Sequence, residues 1–496
     1  MWSLLLLGAP TFAADIVVDV GDDWCAALTA AVAGDRVLLA AGTHEGVCAV
    51  TSAGEAGSPV TLGAVDPELG AIVTTDDTTV NLLDLDGGWF VVESLQLGPT
   101  PTNVDAIRWR GGESLTVRDT TFTSIGGQAV VANTAGVTYS ALTVEDSVFT
   151  NVTGGAISVG CQAGEQHCTA ELVQVQRNRI AGVSAGAGVT FEMDVSGAIV
   201  GNTVTGTFGP AVVVGGDALA DGTGVEAPVD VAAPAVVVEA NHLSGSADAA
   251  TLQVEGGPAL VRNNLVIAGV GGAVHAAGRM DHVHLLGNSL SGGAGQPVLL
   301  EDWQDTATLS FQNNAVWDPS APGAGVPSAV GALPWGGNVA CSSETSCFED
   351  LASGDPSPRA GGELMDRAVE VADGLLDEDA CGELRTLPGV SGMLLEPLSE
   401  GLDLGADLDP REHCGGGDTG DTGDTGEPSD GPSPGTGGGD GPGTDPDALD
   451  EGPSLPQVSV AELVAEQGGV SCASAGAAAG WLSLFGLVFV AGRRQH

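Results

Sequence analysis

Apolar and polar residues alternate in eight short segments that recur along the chain. In each seven-residue segment the second position is apolar, as is the residue two places before it except at Gly197, while the third position is mostly polar. This period of two predicts a β-strand with one buried face. The seventh position is again apolar, from Phe122 to Val316, so a second inward-facing strand is expected after a bend. The segments are 116–122, 143–149, 174–180, 198–204, 237–243, 260–266, 284–290 and 310–316.

The fifth position of each segment is the predicted bend, and asparagine fills most of these positions. Asparagine tolerates the left-handed backbone conformation of a tight turn, and stacked asparagines can bond side chain to side chain. The bend positions are Thr120, Ser147, Asn178, Asn202, Asn241, Asn264, Asn288 and Asn314, spaced by 23 to 39 residues.

A repeat of this length is typical of a solenoid, because one unit cannot bury its apolar face but a stack of units can. The two-residue period and the Val, Thr and Gly content exclude helical repeats. We therefore predict a parallel β-solenoid in which each turn rises roughly 4.8 Å. The two long spacings predict insertions at 161–168 and 215–234.

The segment before the repeats adds turns and strands of the same kind. Residues 24–44 contain the turns Gly34-Asp35 and Gly42-Thr43, and Leu95 takes the fifth position of an earlier repeat. With these features the chain resembles the secreted right-handed parallel β-helix proteins of the pectin-lyase-like fold, over about residues 15–414. The resemblance implies an all-β, right-handed parallel β-helix with a short N-terminal capping helix. It also implies a loop-rich C-terminal cap, echoed at 365–368, 379–385 and 404–406.

Enzymes of that fold use calcium held by Asp or Glu with an Arg or Lys base, or clustered Asp residues, on the outer face of one sheet. The outward positions here show opposite charges side by side instead: Arg118 beside Glu145, and Glu239 beside Arg262. Such neighbours are expected to be cross-strand pairs of a few tenths of a kcal/mol. We therefore assign no catalytic residue.

Five residues remain as weak candidates for an outer-face polar site: Asp119, Asp146, Arg262, His282 and His284. The two aspartates could share a proton or a cation, although aspartate is also a common turn residue. The two histidines should both face outward and could bind a metal, although a solvated surface is the more ordinary setting. Three tryptophans could stack on sugar rings or seal turns: Trp109, Trp303 and Trp317.

The charge of the chain excludes several functions. All 14 basic residues are arginines, and 65 acidic residues give a formal net charge of −51. Nucleic acid is excluded as a partner, because phosphate binding needs a positive patch. The lack of lysine excludes Schiff-base chemistry and P-loop nucleotide binding. No cofactor is expected, with bound calcium kept as an option.

Eight of the nine cysteines are expected to form disulfides, although the sequence does not establish their connectivity. Neighbouring cysteines can pair in loops and caps, whereas a zinc site is disfavoured because no CxxC pair occurs. The expected disulfide cysteines are Cys25, Cys48, Cys161, Cys168, Cys341, Cys347, Cys381 and Cys414.

The two ends of the chain predict export. Residues 1–14 have the apolar run and small residues of a signal peptide. Residues 415–471 form an acidic Gly/Pro/Asp linker that cannot build a core. Residues 472–496 combine Cys472, an apolar stretch and terminal arginines, and they resemble myxobacterial-type sorting tags in which the cysteine marks processing. A plain membrane anchor is the alternative.

These features divide the chain into a signal peptide (1–14), a β-helix with its N-terminal cap (15–317), a C-terminal capping region (318–414), a disordered linker (415–471) and an anchor or sorting segment (472–496). We expect a protein on the surface or outer membrane of a Gram-negative bacterium. Its expected role is non-catalytic, either structural or binding, with carbohydrate as the candidate ligand. The alternative is a lyase or glycoside hydrolase that acts on an acidic polysaccharide.

Deletion of residues 472–496 should release the protein into the medium, because the deletion removes the apolar stretch and its terminal arginines. Immunoblotting of cell and medium fractions measures the release. Retention of the truncated chain on the cells, in the same amount as the full chain, would contradict the role of this segment.

Overall fold

The protein is a parallel β-solenoid. The computed structural model describes residues 13–371, except for 52–53, 162–167, 193, 216–235, 280–281, 294, 301–308, 328–334, 351–354, 366 and 370. Three parallel sheets, A, B and C, are visited in the same order on each turn, or rung, of about 11 turns. The predicted fold is confirmed. The expected leader, linker and anchor, together with Cys381, Cys414 and Cys472, lie wholly or largely outside the described residues.

Each sheet takes one strand from most rungs, and the short strand β14 is an extra strand of sheet A that pairs with β18. Sheet A contains β1 (Asp15–Val18), β2 (Arg36–Leu39), β5 (Val60–Ala64), β8 (Phe90–Glu93), β11 (Leu115–Arg118), β14 (Thr138–Tyr139), β15 (Leu142–Glu145), β18 (Thr169–Gln176), β21 (Val195–Val200), β24 (Val236–Glu239), β27 (Ala259–Arg262), β30 (Val283–Leu286) and β33 (Leu309–Gln312). Sheet B contains β3 (Gly42–Glu45), β6 (Ala71–Thr74), β9 (Leu95–Leu97), β12 (Thr121–Ile125), β16 (Val148–Val152), β19 (Arg179–Val183), β22 (Thr203–Thr207), β25 (His242–Ser244), β28 (Leu265–Ile267), β31 (Ser289–Ser291), β34 (Ala315–Trp317) and β35 (Val339–Ala340). Sheet C contains β4 (Cys48–Val50), β7 (Leu83–Leu85), β10 (Ile107–Trp109), β13 (Val130–Ala132), β17 (Ile157–Val159), β20 (Val189–Phe191), β23 (Val212–Val214), β26 (Leu252–Gly256), β29 (Val274–Arg279) and β32 (Val298–Leu300).

The core is built from columns of inward-facing residues that stack in register. The second positions of the repeats, from Val117 to Phe311, are all buried, and the alternation of buried and more exposed residues along β8, β11 and β15 places their neighbours outward. In the next column Phe122 and Phe149 stack with ring centroids 4.5 Å apart. Each large apolar side chain buried in this way contributes about 1.5–3 kcal/mol. The core therefore grows with every rung.

The predicted asparagine ladder is present at the corner between sheets A and B. From Asn178 onward, each side-chain Nδ2 donates to the Oδ1 of the next asparagine at 2.9–3.1 Å. That Oδ1 also accepts from the backbone N–H of the preceding asparagine. The ladder continues to Asn338, beyond the last repeat that the sequence pattern identified. Buried polar groups are thus satisfied along the corner.

The bend itself lies one residue earlier than predicted. The residue with a left-handed backbone is at the fourth position, as at Asp119 (φ 49°), Arg177 (φ 55°) and Ala240 (φ 53°). Among the described residues, no ladder asparagine has a positive φ. The reason is that the asparagine side chain must turn into the stack to bond its neighbours, so the residue before it makes the turn.

A short helix closes the N-terminal end, as the resemblance implied. Helix α1 (Trp24–Ala30) begins after Asp23, whose side chain accepts from the Ala26 N–H. Trp24 and Leu28 are buried against the first rungs. The Asp35 carboxylate accepts from the N–H groups of Ala14 and Val32, both at 2.9 Å. These bonds tie the first strand and the end of the helix to one turn.

The chain after the last rung covers the stack in two ways. Trp335 packs on Phe311, with ring centroids 5.2 Å apart, at the end of the core. Helix α2 (Glu344–Cys347) precedes the antiparallel pair β36 (Phe348–Asp350) and β37 (Asp355–Pro358). In this region Phe348 and Leu364 pack against Leu265, which shields part of the outer face of sheet B.

Three of the four expected disulfides are present in the described residues: Cys25–Cys48, Cys161–Cys168 and Cys341–Cys347. The first joins helix α1 to the first strand of sheet C. Neither helix of the described chain has the length or the apolar run that a membrane span needs. The expected span at 473–491 lies outside the described residues.

Replacement of Asn241 by glycine should lower the free energy of unfolding by about 2–4 kcal/mol, because buried ladder groups lose their partners. Replacement of Ala240 by glycine should change it by no more than about 1 kcal/mol, because glycine relieves the left-handed strain at that residue. Urea denaturation of the full chain measures both. Equal losses of unfolding free energy in the two variants would indicate that the bend lies at the asparagine and not at Ala240.

Candidate functional site

The charged side chains that stack on the outer face of sheet A form ion pairs between neighbouring rungs. Arg118 donates to Glu93 (Nε–Oε2, 2.9 Å) on the preceding rung, not to its neighbour Glu145 as the sequence suggested. Arg262 pairs with Glu239 (Nε–Oε1, 2.9 Å) as predicted. Both arginines therefore have carboxylate partners, and Arg262 does not join the other candidate residues in a common site.

The two candidate aspartates also make contacts that join neighbouring rungs. Arg177 donates to Asp146 (Nε–Oδ1, 2.6 Å) and to Glu145 (Nη2–Oε2, 2.8 Å). The hydrogen bond to Asp146 holds the pKa of Arg177 above its ordinary value. Asp119 lies at the same corner, where its backbone N–H donates to the Glu145 carbonyl. A guanidinium therefore binds Asp146, where the sequence had suggested a proton or cation shared with Asp119.

The candidate histidines occupy a corner and a strand. His282 has a left-handed backbone (φ 54°) just before β30. His284 faces outward between Leu260 and Ser310, and its Nδ1 lies 2.7 Å from the Ser310 Oγ. Burial lowers the pKa of His284, and the nearby charge of His282 lowers it further. In the described part of the chain, no group of three His, Cys, Asp or Glu side chains could hold a metal ion.

The tryptophans differ from one another in exposure. Trp109 is fully buried, packs on Tyr139 with ring centroids 5.0 Å apart, and donates from Nε1 to the Gly87 carbonyl. It therefore seals a turn and cannot stack on a sugar. Trp317 is partly buried against the cluster under the C-terminal cap, and Trp303 lies outside the described residues.

A groove on the outer face of sheet C is the strongest candidate site, and we call it the sheet C groove. It crosses β13, β17 and β20 and has a volume of about 440 Å³. Sites for small molecules and sugars commonly enclose about 300–1,000 Å³. The groove is lined by Gln128, Asn133, Ala135, Gly155, Ser158, Gly160, Cys161, Gly186, Ala187, Thr190 and Glu192.

Glycines form the floor because the rungs approach too closely there for a side chain. A Cβ at Gly160 would lie 2.7 Å from Val195 Cγ2 and 2.8 Å from Glu192 Cβ. A Cβ at Gly186 would lie 2.7 Å from the backbone of Gly154. Gly155 is different, since its nearest neighbour would be the Ala187 carbonyl oxygen at 3.5 Å. The space that a side chain at Gly155 would occupy is therefore the groove itself.

Hydroxyl and amide groups supply the polar lining. Ser158 and Thr190 are paired in register on neighbouring strands, and Ser158 is only 8% exposed. Neither hydroxyl has a hydrogen-bond partner among the described residues. The Gln128 Oε1 is likewise buried and accepts no hydrogen bond there. Such groups usually have partners, so the groove offers bonds to a ligand or to water.

One wall of the groove is held rigid by an arginine. Arg108 donates from Nη1 to the Asn133 Oδ1 at 3.0 Å and from Nη2 to Asp105 at 2.7 Å. The other Asp105 oxygen accepts from the Gln128 N–H at 2.9 Å. The positive charge is thus neutralised beside the groove, and its role is to fix the positions of Asn133 and Gln128.

Glu192 is the ionisable group of the groove. Burial raises the pKa of its carboxyl above the ordinary value, and the negative charge of Glu255 raises it further. Unlike Glu93, Glu145 and Glu239, it has no arginine partner among the described residues. A raised pKa makes this carboxyl a better proton donor than an ordinary exposed glutamate.

The sequence repeat does not predict this groove, because the repeat covers only the first strand and the corner of each rung. The third strands have only three residues at most rungs, and the gap that separates them from the preceding corner varies. A usable signal was present: glycine pairs at 126–127 and 154–155 each precede a short aliphatic strand.

Comparisons with known proteins agree with the architecture. Residues 105–290 match the family described as a right handed beta helix region. The handedness therefore agrees with the resemblance inferred from the sequence, and the chain is a right-handed parallel β-helix over these rungs. A search of curated proteins found no match.

Several solved structures are similar in fold. An alginate lyase from Paenibacillus is 16% identical, with 60% of this chain and 97% of that chain covered and a TM-score of 0.42. The A-module of the mannuronan C-5 epimerase AlgE4 of Azotobacter vinelandii is 16% identical, with 57% and 79% covered and a TM-score of 0.40. A family PL6 polysaccharide lyase of Pseudopedobacter saltans is 14% identical, with 70% and 96% covered and a TM-score of 0.39. At these identities the similarity concerns the fold alone.

Replacement of Glu192 by glutamine should stabilise the protein at pH 7 and leave its stability unchanged near pH 3. A raised pKa in the folded state means that the stabilisation from the neutral carboxyl is lost as the pH rises through that value. Glutamine keeps a neutral group at all pH values. Urea midpoints of the wild type and the variant at the two pH values measure the effect.

Glu363 provides a control of opposite sign. Hydrogen bonds from Ser342 lower the pKa of Glu363, so Glu363→Gln should destabilise the protein at pH 7 and lose that effect as the pH falls through the folded pKa. A destabilising Glu192→Gln at pH 7 would contradict the raised pKa of Glu192.

Proposed function

We propose that this chain is a glycan-binding protein and that the sheet C groove is its binding site. The observation that carries the proposal is a groove with a glycine floor and hydroxyl and amide walls, in which the buried Ser158 lacks a partner among the described residues. Hydroxyls and amides both donate and accept, which suits the hydroxyls of a sugar. The bare backbone of the floor would let a flat sugar ring approach closely.

A neutral glycan fits the charges of the groove better than an acidic polysaccharide does. Glu192 lines the groove without an arginine partner among the described residues, and Arg108 beside it is engaged by Asp105. A uronate would bring a second carboxylate into this setting, where like charges repel. The net charge of −51 adds to that repulsion.

We also propose that the protein acts outside the cytoplasm. Disulfides persist in oxidising compartments, and three are present in the described residues. An acidic surface without lysine keeps such a protein soluble. Anchorage through residues 472–496 would hold the β-helix at the cell surface.

Replacement of Gly155 by leucine should weaken glycan binding at least about tenfold, because the side chain would fill the groove with little effect on the fold. Removal of both hydroxyls by Ser158→Ala and Thr190→Val should weaken it by a similar factor, about 1.4 kcal/mol. Calorimetry with xylan, galactomannan, laminarin, pectate and alginate measures the binding of the full chain.

The matched control is Ala181→Leu, on the outer face of β19 in sheet B, which should leave binding unchanged. Binding of pectate or alginate in preference to the neutral glycans would refute the neutral specificity. Binding that is insensitive to Gly155→Leu would place the site elsewhere, and a lack of binding to every polymer would refute the function.

A further inference from the structure

The hydrogen-bonded backbone of the described chain begins at Ala14. The Ala14 carbonyl accepts from the Arg36 N–H at 2.8 Å, and the pairing of β1 with β2 continues from Asp15 opposite Arg36. The residue before it, Ala13, is exposed and makes no hydrogen bond with the rest of the described chain. The Ala13–Ala14 peptide bond therefore separates the solenoid from the chain that precedes it.

The Ala14 nitrogen lies against a buried carboxylate. Its N–H donates to the Asp35 Oδ1 at 2.9 Å, and the Val32 N–H donates to the Asp35 Oδ2 at 2.9 Å. Asp35 is only 6% exposed, and no cationic side chain of the described residues forms an ion pair with it. A buried charge is costly to retain unless an opposite charge and hydrogen bonds accompany it. A cation at the position of the Ala14 nitrogen would therefore stabilise Asp35.

The residues before Ala14 form a cleavage sequence for a signal peptidase. Thr11 and Ala13 are small, and Phe12 lies between them. Small residues at the first and third positions before the cut are the pattern that such a protease recognises. A cut after Ala14 would place the large Phe12 at the third position. The pattern therefore favours a signal peptide of residues 1–13, one residue shorter than the segment predicted from composition.

We propose that a signal peptidase cuts the Ala13–Ala14 bond and that the new α-ammonium of Ala14 forms an ion pair with Asp35. Water is the co-reactant: its oxygen bonds to the Ala13 carbonyl carbon, and its proton goes to the Ala14 nitrogen as the peptide bond breaks. An α-amino group has an ordinary pKa of about 7.7–8.0, so it is mostly protonated at pH 7. The contact between Ala14 and Asp35 then joins opposite charges.

This ion pair would fasten the N-terminal cap to the first rung. Asp35 also accepts from Val32, just after helix α1, and directly precedes strand β2. One carboxylate would therefore connect the first strand, the helix and the second strand, and the charge on Ala14 that strengthens this connection arises only on processing. The inference rests on the proposed export of the chain and is independent of the sheet C groove.

N-terminal sequencing of the full chain tests the position of the cut. The chain is expressed from Met1 in a Gram-negative host, extracted from the cell envelope and sequenced by Edman degradation. The expected sequence is Ala-Asp-Ile-Val, from Ala14 to Val17. A sequence that begins at Asp15, or at any other residue of an exported chain, would overturn the proposed cut. An uncut chain in the cytoplasm would refute the proposed export as well.

The lack of lysine provides a selective probe of the ion pair. Because all 14 basic residues are arginines, the α-amino group is the only primary amine of the mature chain that an acetylating ester can modify. Acetylation at pH 7 should be at least about tenfold slower in the native protein than in the protein unfolded by urea, which corresponds to about 1.4 kcal/mol. The reason is that the ion pair keeps the nitrogen protonated. Mass spectrometry of the N-terminal peptide measures the rate.

Asp35→Asn should abolish this protection, because asparagine has nearly the same shape and no charge. The matched control is Asp19→Asn, at an exposed acid just after β1, which should keep the slow native rate. Equal rates in the native and unfolded wild type would overturn the ion pair, and this comparison holds even if Asp35→Asn fails to fold. Protection that persists in a folded Asp35→Asn variant would overturn it too.

Discussion

Hydrogen bonding between successive asparagines at one corner sets the register on which the rest of the molecule depends. Each asparagine from Asn178 to Asn314 donates through both its side chain and its backbone to the next rung. A slip of one residue would break these bonds and turn the inward valines to solvent. The corner therefore keeps the columns of sheet C aligned even though insertions of different length separate sheets C and A. Ser158 meets Thr190, and Gly160 meets Glu192, because of bonds made elsewhere on the rung.

The sequence predicted the sheets better than it predicted the site. Period-two alternation and recurrent asparagine were sufficient for sheets A and B, because both signals lie in one seven-residue window. The left-handed residue could not be found in this way, because Asp119, Arg177 and Ala240 share a backbone conformation but no side-chain chemistry. The choice of Glu93 as the partner of Arg118 depends on side-chain rotamers, which a pattern of residue types does not contain.

The groove could not be predicted from the sequence for a related reason. Strands such as β13 and β23 have only three residues, so alternation within them is too short to recognise. Their alignment appears only when the whole rung is closed. The raised pKa of Glu192 is likewise a property of the assembled stack, since its burial and the proximity of Glu255 arise from different rungs. The local sequence at Glu192 shows no more than a glutamate at the end of a short strand.

The fourth position of each rung has a consequence for engineering. Its residues turn the chain with a left-handed backbone, and their side chains leave the corner while the adjacent asparagine holds the rung. Aspartate, arginine, alanine, asparagine and glycine all occur there, so the position tolerates varied chemistry. Since rungs repeat at roughly 4.8 Å, this corner presents side chains at a regular spacing along the axis of the solenoid. Chosen groups grafted onto it would be displayed in a straight row at atomic spacing, much as on the surface of a crystal.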